Sequence, residues 1–380
     1  MAFVVLWLFG ICLRLTALAV PPIVPQLHES FNLTQAQVGA LGTLPVLLLS
    51  FAALPGAYLI ARFGATRVVI GGILLAGSAS ALRAASPDTA TLFATTFAMG
   101  VGIAVMQPAL PPIVREWVPR NVGLATAAYS NGLLVGEALS SSLTLPWMLP
   151  LAGGSWRLSL VGWSVPLFFI AALGVWYAHG HAKRVAPAAR TGEWWPDWRS
   201  PLTWRLGLIA GGCSSLYFGT NAFLADDLRG LGRADLIGPA LSSLNWVQIP
   251  ASLLLLAFPR QLMMKRWPLA AAGAAATIAI VGLATSEGGW VVAWSGLIGF
   301  CTAFLLILTL ALPPMLADPG RVHSVSAAIF AIGYLCAVVT PVIGGLAWDL
   351  TGLAWTAFVP AGLFGPAIVV LAAGLRLPRK

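Results

Sequence analysis

Apolar stretches of roughly twenty residues recur from one end of this sequence to the other, parted by short polar breaks. As a helix, each is long enough to cross a hydrocarbon layer of about 30 Å. The composition offers them no other solvent: 59% of the 380 residues are hydrophobic and 9% are charged, against about 25% charged in soluble domains. No stretch remains that could build a sizeable soluble domain. The chain reads as an all-α membrane protein.

Twelve spans fit the pattern: 3–24, 36–60, 66–84, 90–114, 122–146 and 158–178, then 204–225, 235–258, 267–286, 290–316, 323–347 and 353–376. The longest polar break, 179–203, follows the sixth span and divides the chain nearly in half. Its Pro, Ala and basic content marks a surface linker, and Trp194, Trp195 and Trp198 suit the headgroup layer. The expected domains are a six-helix bundle over 1–178, the linker 179–203 and a second bundle over 204–380. A repeat supports the halving: ALPPIV at 109–114 returns as ALPPML at 311–316, in the fourth span of each half.

Basic residues record orientation. With the N-terminus inside, the cytoplasmic breaks hold sixteen of the 21 Lys and Arg, against Arg83, Arg157, Arg229 and Arg233 outside. That asymmetry predicts an even number of spans with both termini in the cytoplasm. It also explains the net charge of +9 without nucleic acid, since no basic run is long. Cys12, Cys213, Cys301 and Cys336 lie inside apolar spans without metal-ligand spacing and read as small core residues. The first apolar stretch lacks a basic leader and contains Arg14, so it reads as a retained first helix. Neither a cofactor nor a metal is implied.

At this point the chain resembles the major facilitator superfamily over nearly its full length, and within it the branch of cyanate and nitroimidazole transporters. AYLIARFGATR at 57–67 occupies the place of that superfamily's glycine- and basic-rich loop between the second and third helices. It has Ala61 where an aspartate is usual and Ala57 where a glycine is, and it keeps Arg62, Gly64 and Arg67. Three stretches carry the branch: LRLTALAVPPIVPQL at 13–27, the segment 103–139 that begins IAVMQPALPPIV, and GYLCAVVTPVIGGLAWDLTG at 333–352. The resemblance implies a monomeric secondary transporter in a bacterial inner membrane, its cavity lined by helices one, four, seven and ten.

Charge inside a span costs at least about 2.5–3.5 kcal/mol on insertion scales, so it points to function. Arg14 in the first span and Glu137 in the fifth qualify, at depths of about 17 and 22 Å. Arg14 is either an anion-binding guanidinium able to fork onto a carboxylate, nitrate or cyanate, or a structural charge partnered by Glu137 or by carbonyls freed near Pro21 and Pro22. Glu137 is either a proton carrier, protonated when substrate takes Arg14 from it, or half of a fixed pair.

Uncharged candidates for substrate contact are Gln107, Tyr129, Asn131, Tyr217, Asn221, Asn245, Trp246, Gln248 and Tyr334. Each is equally a candidate for an interhelical hydrogen bond. Trp246 stands out, because a Trp away from the interface could stack on a flat ligand. Gly132-x-x-x-Gly136, like Gly100 with Gly102, allows close helix approach, either as packing or as a hinge, and Pro146 and Pro341 are candidate kinks.

The expected activity is alternating-access movement of a small anionic or polarised planar solute, with protons as a possible second partner. A facilitator or exporter of a neutral, drug-like compound is the alternative. An integral-membrane enzyme lacks support, since His28, His179, His181 and His323 fall in breaks or at helix ends and Asp226-Asp227 has no second acidic motif. A channel lacks a re-entrant filter, and there is no nucleotide-binding loop.

Overall fold

The computed structural model describes residues 1–33, 35–182, 194–263, 265–286 and 288–375. Most of the expected linker, residues 183–193 with Lys183, Arg184 and Arg190, lies outside the described residues, as do Arg376, Arg379 and Lys380. Among the described residues all regular structure is helical.

The first pass is α1 (Ala2–Cys12), an irregular stretch over 13–20 and α2 (Val24–Phe31). The second is α3 (Gln35–Phe51) with α4 (Ala53–Phe63), and the third is α5 (Ala65–Arg83). The fourth joins α6 (Thr89–Met106) to α7 (Leu110–Trp117), the fifth is α8 (Val122–Leu143) with α9 (Leu149–Leu151), and the sixth is α10 (Trp156–Ala182). The seventh is α11 (Pro201–Gly230), and the eighth joins α12 (Ile237–Trp246) to α13 (Gln248–Ala257), with α14 (Pro259–Leu262) after it. The last four are α15 (Arg266–Thr285), α16 (Trp290–Leu316), α17 (Val322–Thr351) and the pair α18 (Val359–Gly362) and α19 (Phe364–Ala373). Two compact units result: Met1–Pro196 with Asp318–Ala327, and Asp197–Ala317 with Ala328–Lys380.

Among the described residues, eight passes are long and apolar enough to cross a membrane by themselves, and the bent second pass makes a ninth. The other three fall short for visible reasons. The first is cut to eleven residues by its break. The fifth and seventh carry polar side chains, Asn131, Glu137 and Ser140 in α8, and Ser214, Ser215, Tyr217 and Asn221 in α11.

Several spans expected to be continuous are interrupted, each at a residue that disturbs the ladder. The first helix was expected over 3–24, but its regular turns end at Cys12, where Leu13 and Arg14 bond back three residues to Gly10 and Ile11. Pro21 and Pro22 have no N–H, so the carbonyls of Ala17 and Leu18 lose their partners four residues on. The second pass bends by 53° between α3 and α4, where Pro55 cannot donate to the carbonyl of Phe51. The fifth leaves α-geometry at a π turn over Thr144–Met148 that contains Pro146. Pro341, by contrast, sits inside α17 without ending it.

Packing inside the first unit is closest between α1 and α8. A Cβ at Gly132 would overlap the Trp7 carbonyl, and one at Gly136 the Ile11 backbone, so glycine lets the two backbones touch. At the start of α6, Asp88 caps the helix by accepting from the Thr91 N–H at 2.7 Å, which holds its carboxyl below the usual carboxylate range. All four cysteines are free, and Cys12, Cys213 and Cys301 are buried.

Candidate functional site

In the first unit the α1–α8 contact fixes a register. Trp7 Nε1 donates to Asn131 Oδ1 at 2.8 Å, and the contacts of Trp7 with Gly132 and of Ile11 with Gly136 advance four residues on each side. The two helices are therefore parallel. Arg14 lies three residues past Ile11 and Glu137 one past Gly136, which puts them about 3 Å apart along the shared axis. Both are half-buried. Arg14 stands on the irregular stretch rather than on the helix expected for it.

Beyond Glu137, α8 is loosened by its own hydroxyls. Ser140 Oγ donates to the Gly136 carbonyl at 3.0 Å and Ser141 Oγ to that of Glu137 at 2.7 Å, while Thr144 Oγ1 bonds the Ser140 carbonyl. Such back-bonding competes with the helical ladder, and the π turn follows at once. Tyr129 is buried in α8, and Gln107 is buried at the turn that joins α6 to α7.

The link between α4 and α5 is a single residue, Gly64, with φ 87°. That conformation is strained for any residue with a Cβ, so glycine is required there. Arg62 and Arg67 are exposed beside it, and Arg62 donates to the Tyr58 hydroxyl at 2.9 Å.

In the second unit three of the candidates converge. The Tyr217 hydroxyl donates to Asn245 Oδ1 at 2.6 Å, Gln248 Nε2 approaches the same oxygen at 3.5 Å, and Asn245 Nδ2 donates to the Leu241 carbonyl at 2.8 Å. Asn221 turns back on its own helix, donating to the Tyr217 carbonyl at 3.1 Å. Trp246 does not join them. It is 49% exposed, on an exposed stripe with Ser242, Pro250 and Leu253, and successive residues of a helix diverge by about 100°. Tyr334 is buried elsewhere in this unit, stacked on Phe330 with centroids 6.2 Å apart. With Ser214 and Thr309 it lines a crevice of about 10 Å³, room for one water.

One intramembrane charge escaped the sequence reading. Arg83, counted among the outer topology markers, is 1% exposed at the end of α5. The rule that a basic residue at a helix end records orientation hid it. Its small polar neighbour Ser80, one turn earlier, is the only signal that could have found it. Among the described residues no cluster of His, Cys, Asp and Glu could hold a metal ion.

Comparison with known proteins places this geometry. The family model described as Major Facilitator Superfamily matches residues 6–268. The chain is 28% identical over 363 residues to the 2-nitroimidazole transporter of Escherichia coli (strain K12), spanning 94% of this chain and 90% of that protein. It is 27% identical over 358 residues to the cyanate transport protein CynX of the same organism, spanning 92% and 90%. Among solved structures, the proton:xylose symporter XylE superposes with a TM-score of 0.75 at 13% identity, over 97% of this chain and 94% of that one.

Proposed function

The chain belongs to the Major Facilitator Superfamily, and on that premise we propose that this multi-pass membrane transporter moves a small anionic or polarised planar solute by alternating access. The position of Arg14 carries the reading. A permanently charged guanidinium on an interrupted helix has freed carbonyls on one side and a carboxylate-bearing helix in backbone contact on the other. N–H donors there suit a small anion such as cyanate, and their fork suits the two oxygens of a neutral but polarised planar nitro group. Relatives named for cyanate and 2-nitroimidazole support that chemistry.

Glu137 supplies the coupling in this reading. An arriving anion competes for Arg14 and leaves a carboxylate in low dielectric, which takes up a proton and returns the loaded site to neutrality. In this reading the chain, built of the halves 1–178 and 204–380, opens the site alternately to either side of a bacterial inner membrane, with the 179–203 linker and both termini cytoplasmic and the protein monomeric.

Proteoliposomes test it directly. Parent protein should accumulate labelled cyanate under an inward proton gradient, and Glu137→Gln should exchange substrate while losing accumulation. Arg14→Ala binding cyanate as well as the parent does would sink the anion site. A second reading rests on the uncharged Tyr217–Asn245–Gln248 cluster, which fits a neutral planar solute moved without coupling. It predicts 2-nitroimidazole exchange insensitive to the gradient and to Glu137→Gln.

A further inference from the structure

The end of α5 carries a charge that the transport reading does not use. Arg83 is 1% exposed, and its Nη2 donates to the Thr16 carbonyl at 2.9 Å and to Ser80 Oγ at 2.7 Å. Nε and Nη1 are fully enclosed and have no partner in the protein, and neither has Thr16 Oγ1, on the residue whose carbonyl Nη2 holds. A guanidinium keeps its proton, so the site holds a whole positive charge.

No acid compensates it among the described residues. Asp88, five residues on, is exposed and occupied in capping α6, and Glu29 is exposed. A second cation lies close by instead. Arg157 Nη1 donates to the carbonyls of Ala84 and Ser86, the residues just after Arg83, and its guanidinium faces the rings of Phe31 and Trp156. The carboxyl end of α5 offers the equivalent of only about half a negative charge. Two arginines at one helix end, one of them with two buried nitrogens that lack partners, leave a positive field around a group that water does not reach. Burying an unpaired charge is unfavourable unless a counter-charge is buried with it.

We infer that Arg83, with Thr16 and Ser80, forms a resident site for a compact monovalent inorganic anion of halide size, separate from Arg14. The ion accepts from Nε and Nη1 and from the Thr16 hydroxyl. Because Nη2 also holds the Thr16 carbonyl, the bound ion braces the irregular stretch over 13–20 between the two ends of the first helix. The site thus acts as a structural anchor and needs no transport activity to be seen.

Purified parent protein in detergent should show a rise of a few degrees in its unfolding temperature when sodium chloride replaces sodium gluconate at constant ionic strength. Arg83→Gln should lose that rise and Arg14→Ala should keep it, which separates this site from the transport reading. A rise retained in Arg83→Gln, or lost in Arg14→Ala, overturns the inference. Should Arg83→Gln fail to fold, crystals of the parent grown in bromide give the answer without a variant. An anomalous peak within hydrogen-bond distance of Arg83 Nε or Nη1 supports the site, and its absence there rejects it.

Discussion

Two helix pairs, one in each half, solve the same packing problem with different materials. In the first, α1 meets α8 backbone to backbone, and a Cβ at Gly10, Gly132 or Gly136 would strike the main chain of Tyr129, Trp7 or Ile11. In the second, α11 meets α17 through side chains: Gly207 lies under Ile332, Gly211 under Cys336, and Ser215 Oγ shares a hydrogen bond of 2.7 Å with Thr340 Oγ1. Charge divides the same way. Arg14 and Glu137, the charged candidates at span depth, belong to the first half, while the candidates of the second form the neutral set Tyr217, Asn245 and Gln248. A side chain can change rotamer and a backbone cannot, so α1–α8 is the stiffer contact and α11–α17 the more forgiving one, although α12 and α16 of the second half also meet backbone to backbone at Leu244 and Gly299.

The largest expected effect tests the stiffness. Gly132→Ala should destabilise by about 1–3 kcal/mol or more, because the Trp7 carbonyl cannot step aside. Gly207→Ala should cost less, about 1 kcal/mol, since the Cδ1 end of Ile332 can swing and only its Cβ, at 3.1 Å, and Cγ1 must give slightly. Thermal unfolding in detergent compares them, and equal losses would erase the distinction between the two helix pairs. The next effect tests the charge: Arg14→Ala should weaken anion binding by about 1.5–3 kcal/mol, about tenfold to a hundredfold, with Arg14→Lys in between. Tyr217→Phe should cost less, about 0.6 kcal/mol, as is usual for one hydrogen bond between membrane helices. A double-mutant cycle with Asn245→Leu isolates that bond, and a loss of affinity larger than that of Arg14→Ala would reverse the assignment of roles.

The smallest effect lies outside the membrane. Asp88 has its carboxyl held low by the Thr91 N–H, so its capping contribution is complete above the ordinary value of 3.8 and fades as pH falls through the lower folded value. The gap in unfolding temperature between the parent and Asp88→Ala should be constant near neutrality and close only under strong acid. A gap that closes between pH 7 and 5 would assign the cap to another group.

Much of this fold was legible because lipid imposes a single periodicity: a pass needs about twenty apolar residues whatever its neighbours are. Gly132 and Gly136 were legible as a close approach for a related reason, since in lipid small residues mark the seam between helices. The interruptions were harder to place. Pro21 and Pro22 announced a disturbance, but the helix ends at Cys12, nine residues before the first of them. Trp246 was read from depth alone, and depth says nothing about which way a side chain faces around the helix. Arg83 was read from its position at a span end, where exposure and burial look identical in sequence.

Cys12 is the last helical residue before the irregular stretch and has no exposed surface. A thiol can react only when a reagent reaches it, so its alkylation runs at the pace of whatever motion parts α1 from its surroundings. Cys336, the one half-buried thiol of the four, lies in the other half and should react sooner. The native chain therefore contains two chemical clocks, one at the interrupted joint and one as its reference. A maleimide time course followed by mass spectrometry can read both in the membrane, with no label introduced by mutation.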